Sequence, residues 1–136
     1  MRWLLPLLAG VALLVPRPGS AETAGPLLRV LDGDTYEFLL EGFPTRVRLA
    51  NADTPETGSR AKCAQELDRG NRATDFVREQ VNTRVVAVFP TGKLDKYRRV
   101  LATVTIDGDD LGRLLVNNGL ARWYGGERRR GWCDAD

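Results

Sequence analysis

Asp34, Arg48, Asp53, Thr54, Glu56, Lys96 and Arg99, carried on four short segments of a 136-residue chain, supply the groups that phosphodiester cleavage needs. Asp34 and Asp53 offer hard carboxylate oxygens of the kind Ca²⁺ or Mg²⁺ takes, and the backbone carbonyl of Thr54 can add another. A cation held there would neutralise a phosphoryl oxygen. Glu56, three residues past Asp53, can accept a proton from an attacking water, and Pro55 stiffens the link between ligand and base. Arg48 and Arg99 present planar donor forks that fit phosphate bidentately and would stabilise the charge that builds on its oxygens.

The chain contains no histidine. That excludes Ser-His-Asp hydrolysis, Cys-His proteolysis and nucleases that depend on imidazole. Any catalyst here works with carboxylates, arginine, lysine and metal. Each segment also has a simpler reading. Asp32-Gly33-Asp34 is a hairpin-turn signal. Asp53-Thr54-Pro55-Glu56 could open a helix, with proline at its first position. Arg48 on a strand could face solvent.

The elements that must position these groups follow from periodicity. Leu27–Leu31 and Thr35–Leu40 read as strands, with a turn at Gly42 and Pro44. Thr45–Ala50 alternates charged and apolar residues at period two, and 61–81 repeats apolar residues near 3.6, interrupted by Gly70. Arg84–Phe89 and Val100–Ile106 are two more strands. Asp109 or Asp110 caps a short helix through Asn118, which Gly119 ends. Three strands, a helix, two strands and a helix suggest a small closed or partly closed barrel of the OB type. The four segments fall at strand ends, where they can converge.

Met1 and Arg2, the apolar run Trp3–Val15, and the small residues Gly19 and Ala21 have the form of a secretory signal peptide, cleaved after Ala21. The run is too short to span a bilayer, which takes about 20 residues. Residues 22–136 are then expected to form one domain. Losing Arg2 and Arg17 and no acid takes the formal charge of +2 to zero. Affinity for nucleic acid must then come from a local patch. Arg122 with Arg128, Arg129 and Arg130 is one such patch, or simply a solvated charge run. Export also places Cys63 and Cys133 in an oxidising compartment, where one disulfide is the expected pairing. Closing so long a loop is worth about 4 kcal/mol in the chain-entropy model.

In order and spacing, Asp32-Gly33-Asp34-Thr35, Arg48, Asp53-Thr54-Pro55-Glu56, Asp95-Lys96-Tyr97-Arg98-Arg99 and Asn118-Gly119-Leu120-Ala121 resemble the staphylococcal nuclease (thermonuclease) family, over 27–123. The resemblance implies an α+β fold built on a five-stranded OB barrel. It implies Ca²⁺-dependent hydrolysis of DNA and RNA that leaves 3′-phosphate ends. Asp34, Asp53 and the Thr54 carbonyl become the calcium ligands, Arg48, Glu56 and Arg99 the catalytic residues, and Lys96 and Tyr97 the contacts to the nucleotide phosphate. The protein is expected to be a monomer with no stable protein partner and, once the signal peptide is removed, no membrane association; export would place it in a periplasm or outside the cell. The alternative is a secreted OB-type module that binds nucleic acid without cutting it. Three departures stand out. Arg98 occupies a tight turn where the family has glycine. Tyr124 is the nearest match, off by one, to the family's aromatic contact at the base end of the nucleotide. The family's type member has a long C-terminal helix, whereas Gly125–Cys133 is expected as a loop that the disulfide pins back near Cys63, taking over that helix's stabilising role.

Overall fold

In the computed structural model residues 25–133 are described. The signal peptide expected over residues 1–21 lies outside the described residues. Period-two alternation puts one face of each early strand into the core. β1 (Leu27–Asp32), β2 (Thr35–Leu40) and β3 (Phe43–Leu49) pair antiparallel as a meander. Glu41 and Gly42 take φ of 49° and 82° between β2 and β3. Two positive φ values are what a two-residue hairpin turn of the strand-matching hand requires. The turn therefore ends before Phe43, and β3 begins two residues earlier than Thr45, the start expected from Pro44.

The short strand β4 (Ala52–Asp53) and a 3₁₀ turn at Gly58–Arg60 lead into helix α1 (Ala64–Val81). β5 (Val86–Leu94) and β6 (Val100–Ile106) form the next hairpin, and β7 (Asp109–Asp110) pairs with β6. Helix α2 (Leu111–Asn117) and β8 (Arg122–Trp123) follow, and β8 pairs with β4. The main sheet runs β1-β2-β3-β6-β5. β3 and β6 are parallel, with Arg48 beside Leu101, and the other pairs are antiparallel. This mixed sheet makes a half-barrel with two helices, as the OB-type reading requires.

Tyr36, Phe38, Val47, Leu49, Val77, Val88, Val104, Ile106, Leu111 and Leu115 form the core, each almost fully buried. Each such side chain contributes about 1.5–3 kcal/mol by leaving water. Asp110 caps α2, its carboxylate accepting from the Arg113 amide at 2.8 Å, and Gly119 ends it at φ 71°. Gly70, expected to interrupt α1, sits buried inside an unbroken helix.

Candidate active site

Asp34 occupies the turn between β1 and β2. The Tyr36 hydroxyl donates to the Gly33 carbonyl at 2.6 Å and holds the turn against the barrel. Asp34 Oδ2 accepts from the Thr54 amide at 2.9 Å, which ties this hairpin to the loop leaving β4. Arg48 is only 5% exposed, and both of its terminal nitrogens are engaged. Its Nη2 lies 3.2 Å from Asp34 and 3.1 Å from Asp53. Its Nη1 donates to the carbonyls of Leu49 and Ala52 at 2.6 and 2.7 Å. Arg48 thus brings the two acids together rather than presenting an open fork to solvent.

These contacts set the charges. Burial alone would raise Asp34, but Arg48 and the Thr54 amide outweigh it and hold its carboxyl below the usual range. Burial dominates at Asp53 and raises it, although Arg129 and Arg48 pull the other way. Burial and the neighbouring Asp34 charge push Asp32 up to about 7.

The Glu56 loop is held from α1. Glu66, buried near the helix start, accepts from the amides of Lys62 at 2.9 Å and Glu56 at 3.2 Å. Gly70 lies one turn on, against the same loop. A Cβ there would fall 2.3 Å from the Glu56 carbonyl oxygen, so only glycine admits this approach. The Glu56 carboxylate pairs with Arg60 Nε at 3.3 Å and with Arg129 Nη1 at 2.7 Å. Arg60 also reaches Asp32 at 3.1 Å.

Arg99 comes from the turn between β5 and β6. Its Nε donates to Asp95 at 2.6 Å and its Nη1 to the Thr35 hydroxyl at 3.3 Å. Nη2 has no partner among the described residues. Asp95 also accepts from the Tyr97 and Arg99 amides at 2.8 and 2.9 Å. Burial is the largest single influence and raises this carboxyl, but the Arg99 amide, the Arg99 guanidinium and the Tyr97 amide together outweigh it and hold it below its ordinary value. Arg98 supplies the turn's left-handed residue, at φ 65°, in place of glycine, and is itself exposed. Arg99 is therefore the arginine that faces the site. Lys96 Nζ and Arg99 lie over the Tyr97 ring at 5.1 and 5.3 Å. Arg48, Lys96, Tyr97, Arg99, Tyr124 and Arg129 line an open cleft of about 640 Å³. Tyr124 stacks its ring 5.7 Å from the Arg48 guanidinium.

The basic C-terminal tract divides. Arg122 lies over the Trp132 ring at 3.6 Å and donates to the carbonyls of Arg130 and Gly131 at 2.7 and 2.9 Å. Cys63, the residue that caps α1, is bonded to Cys133, 70 positions away. Arg128 and Arg130 are exposed. Arg129 turns inward, its Nη2 2.6 Å from Asp53 and 3.3 Å from the Thr54 carbonyl. Burial disfavours its charge, but the bond to Glu56 and the Asp53 charge more than compensate and raise it further. Arg129 alone lines both the main cleft and the smaller hollow that holds Glu56. The sequence singles out neither Arg60 nor Glu66 and offers Arg129 only as one arginine of a basic run; it is across the fold that Arg60 reaches Asp32 and Arg129 reaches Asp53.

The residues present fit a hard cation. Asp34, Asp53 and the Thr54 carbonyl are all oxygen donors, the set that suits Ca²⁺ or Mg²⁺. The buried Thr54 hydroxyl has no hydrogen-bond partner among the described residues. A guanidinium already sits on Asp53 and the Thr54 carbonyl, so the position draws positive charge. No group of three acidic, thiol or imidazole side chains gathers there among the described residues. Water or substrate oxygens would have to complete the coordination.

A family model described as staphylococcal nuclease homologue matches residues 46–132. The chain belongs to that family. The matched stretch includes Arg48, Asp53, Glu56 and Arg99, and Asp34 precedes it. Endonuclease YncB of Bacillus subtilis (strain 168) is 38% identical over 96 residues, covering 69% of this chain and 44% of that protein. The SPbeta prophage-derived endonuclease YokF of the same organism is 38% identical over 96 residues, or 69% of this chain and 32% of that protein. An uncharacterized endonuclease of Escherichia coli is 33% identical over 105 residues, covering 76% and 63%. The chain thus spans less than half the length of the first two relatives.

Proposed function

We propose that this domain is an exported, Ca²⁺-dependent nuclease that hydrolyses phosphodiester bonds of DNA and RNA and leaves 3′-phosphate ends. The observation that carries the proposal is the convergence of Arg48, Arg99 and Lys96 on one cleft, with Arg48 paired to the acids Asp34 and Asp53 and Arg129 of the same lining paired to Glu56. Family membership, and the word endonuclease in the relatives' names, support it.

In this reading Asp34, Asp53 and the Thr54 carbonyl hold the cation. Bound there, it would supply a positive charge to a phosphoryl oxygen. Lys96, Tyr97 and the free Nη2 of Arg99 contact the scissile phosphate at the open mouth, while Tyr124 offers a ring face to the nucleotide. Arg99, braced by Asp95, stabilises charge on the non-bridging oxygens. Arg48 keeps the two acids in register and adds its charge from below. Glu56 accepts the proton of the attacking water. The first twenty-one residues direct export, and residues 22–136 act as one domain and as a monomer.

The test is direct. Mature protein should cut plasmid DNA and RNA in Ca²⁺ and stop when chelator is added. Binding of nucleic acid without cleavage in Ca²⁺ would instead make this chain a binding module.

A further inference from the structure

Arg129 lies on two of the three ligands that the proposed cation would need, while Arg48 holds the third, Asp34. It contacts Asp53 at 2.6 Å, the Thr54 carbonyl at 3.3 Å and Glu56 at 2.7 Å. Two expected ligands and the expected base are therefore held by one guanidinium. A Ca²⁺ ion takes six to eight oxygens at about 2.3–2.6 Å. It cannot bond Asp53 and the Thr54 carbonyl beside a guanidinium nitrogen without strong like-charge repulsion.

The segment that carries Arg129 is built to move it only a short way. The Tyr124 amide is fixed on the Asn51 carbonyl at 2.9 Å. At the other end, Arg122 grips the carbonyls of Arg130 and Gly131, and Cys133 is bonded to Cys63. Between those anchors, Gly125 to Arg129 runs without helix or strand, with Gly126 at φ 95°. The Arg129 side chain keeps 37% of its surface exposed. Anchored ends keep its local concentration high, as a short tether does, and the glycine-containing span lets it leave.

We propose that Arg129 is a tethered competitor for the metal site. It occupies the cation's position in the resting protein, and divalent metal must displace it before Glu56 is free to act. This rests on the reading of Asp34, Asp53 and Thr54 as cation ligands. Displacement sends the guanidinium toward the main cleft, whose lining it already shares with Lys96 and Arg99. Metal entry would then both release the base and add a cation to the nucleic-acid side.

The decisive measurement is calorimetric titration with Ca²⁺ alone, with no nucleic acid present, on wild type, Arg129→Gln and Arg130→Gln. If Arg129 sits on the ligands nine-tenths of the time, apparent affinity is lowered about tenfold. Arg129→Gln should therefore bind Ca²⁺ about tenfold more tightly, and Arg130→Gln, whose side chain touches none of these oxygens, should match wild type. Equal or weaker binding by Arg129→Gln, with wild type binding measurably, would overturn the competition and leave the nuclease reading standing. Absence of Ca²⁺ binding in both proteins would overturn the metal site and the competition together. Amide hydrogen exchange on the wild type makes the test independent of the variant's folding. Ca²⁺ should speed exchange across residues 125–131, and unchanged or slower exchange there would overturn the proposal.

Discussion

Gly70→Ala isolates the contact that sets the position of Glu56. In an exposed helix interior, alanine is about 1 kcal/mol better than glycine. Here the new methyl would sit 2.3 Å from the Glu56 carbonyl oxygen and 2.9 Å from that of Pro55. Ordinary C···O contacts lie near 3.3 Å, so the loop must retreat by about 1 Å. Crowding of this kind costs about 1–3 kcal/mol. The propensity gain offsets part of it, and the net effect is a loss of up to about 2 kcal/mol. For a domain of this size that lowers the melting temperature by several degrees, at roughly 4 °C per kcal/mol. Displacing a catalytic group by about 1 Å can cost about 100-fold in rate. Ca²⁺ affinity should change far less than the rate, because the clash falls on the carbonyls of Pro55 and Glu56 and not on Asp34, Asp53 or the Thr54 carbonyl. Thermal unfolding, Ca²⁺ titration and plasmid cleavage on the one variant separate these effects. A protein stabilised by about 1 kcal/mol with cleavage intact would refute the claim that Gly70 fixes the base.

Replacing both cysteines by serine should lower stability by about 4 kcal/mol in urea unfolding, since serine keeps the helix cap while removing the cross-link. A loss under about 1 kcal/mol would show that the disulfide does not stand in for a C-terminal helix. Asp95 has a depressed pKa in the folded state, so its stabilisation is complete above its unfolded value of about 3.9 and is lost as pH falls through the lower folded value. The stability gap between wild type and Asp95→Asn should therefore be constant above about pH 4 and shrink below it. A gap that does not narrow in acid would mean the carboxylate is not held by the Arg99 turn.

Much of the placement of the candidate site residues was legible because the signals for it are local. Asp34 sits in a turn announced by Asp-Gly, and Asp53, Thr54 and Glu56 share four consecutive residues. Arg99 could be preferred over Arg98 on register, and the turn explains why: its left-handed position takes Arg98, leaving Arg99 to face Thr35. The strands followed from alternation and α2 from its cap and terminal glycine. What sequence could not supply were contacts across the fold. Gly70 looked like a helix break because its reason, the Glu56 carbonyl, lies on another segment. The helix start moved from Ala61 to Ala64 because Gly58–Arg60 forms a 3₁₀ turn and Cys63 takes the cap. The short strands β4, β7 and β8 exist only through their ladder partners. Arg48 offered a phosphate fork by type, yet its nitrogens are spent on two acids and two carbonyls. Arg129 was one of three equivalent arginines until the disulfide and Arg122 fixed the strap and turned it inward.

The single-turnover cleavage rate of Glu56→Gln in Ca²⁺, taken beside its affinity for the same oligonucleotide, tests most directly whether Glu56 is the base. Loss of a general base lowers the rate by about 10²–10⁴-fold. Glu56→Gln should show that loss with binding unchanged within about twofold, because the phosphate contacts proposed for Lys96 and Arg99 do not involve Glu56. Cleavage at the wild-type rate would contradict that role.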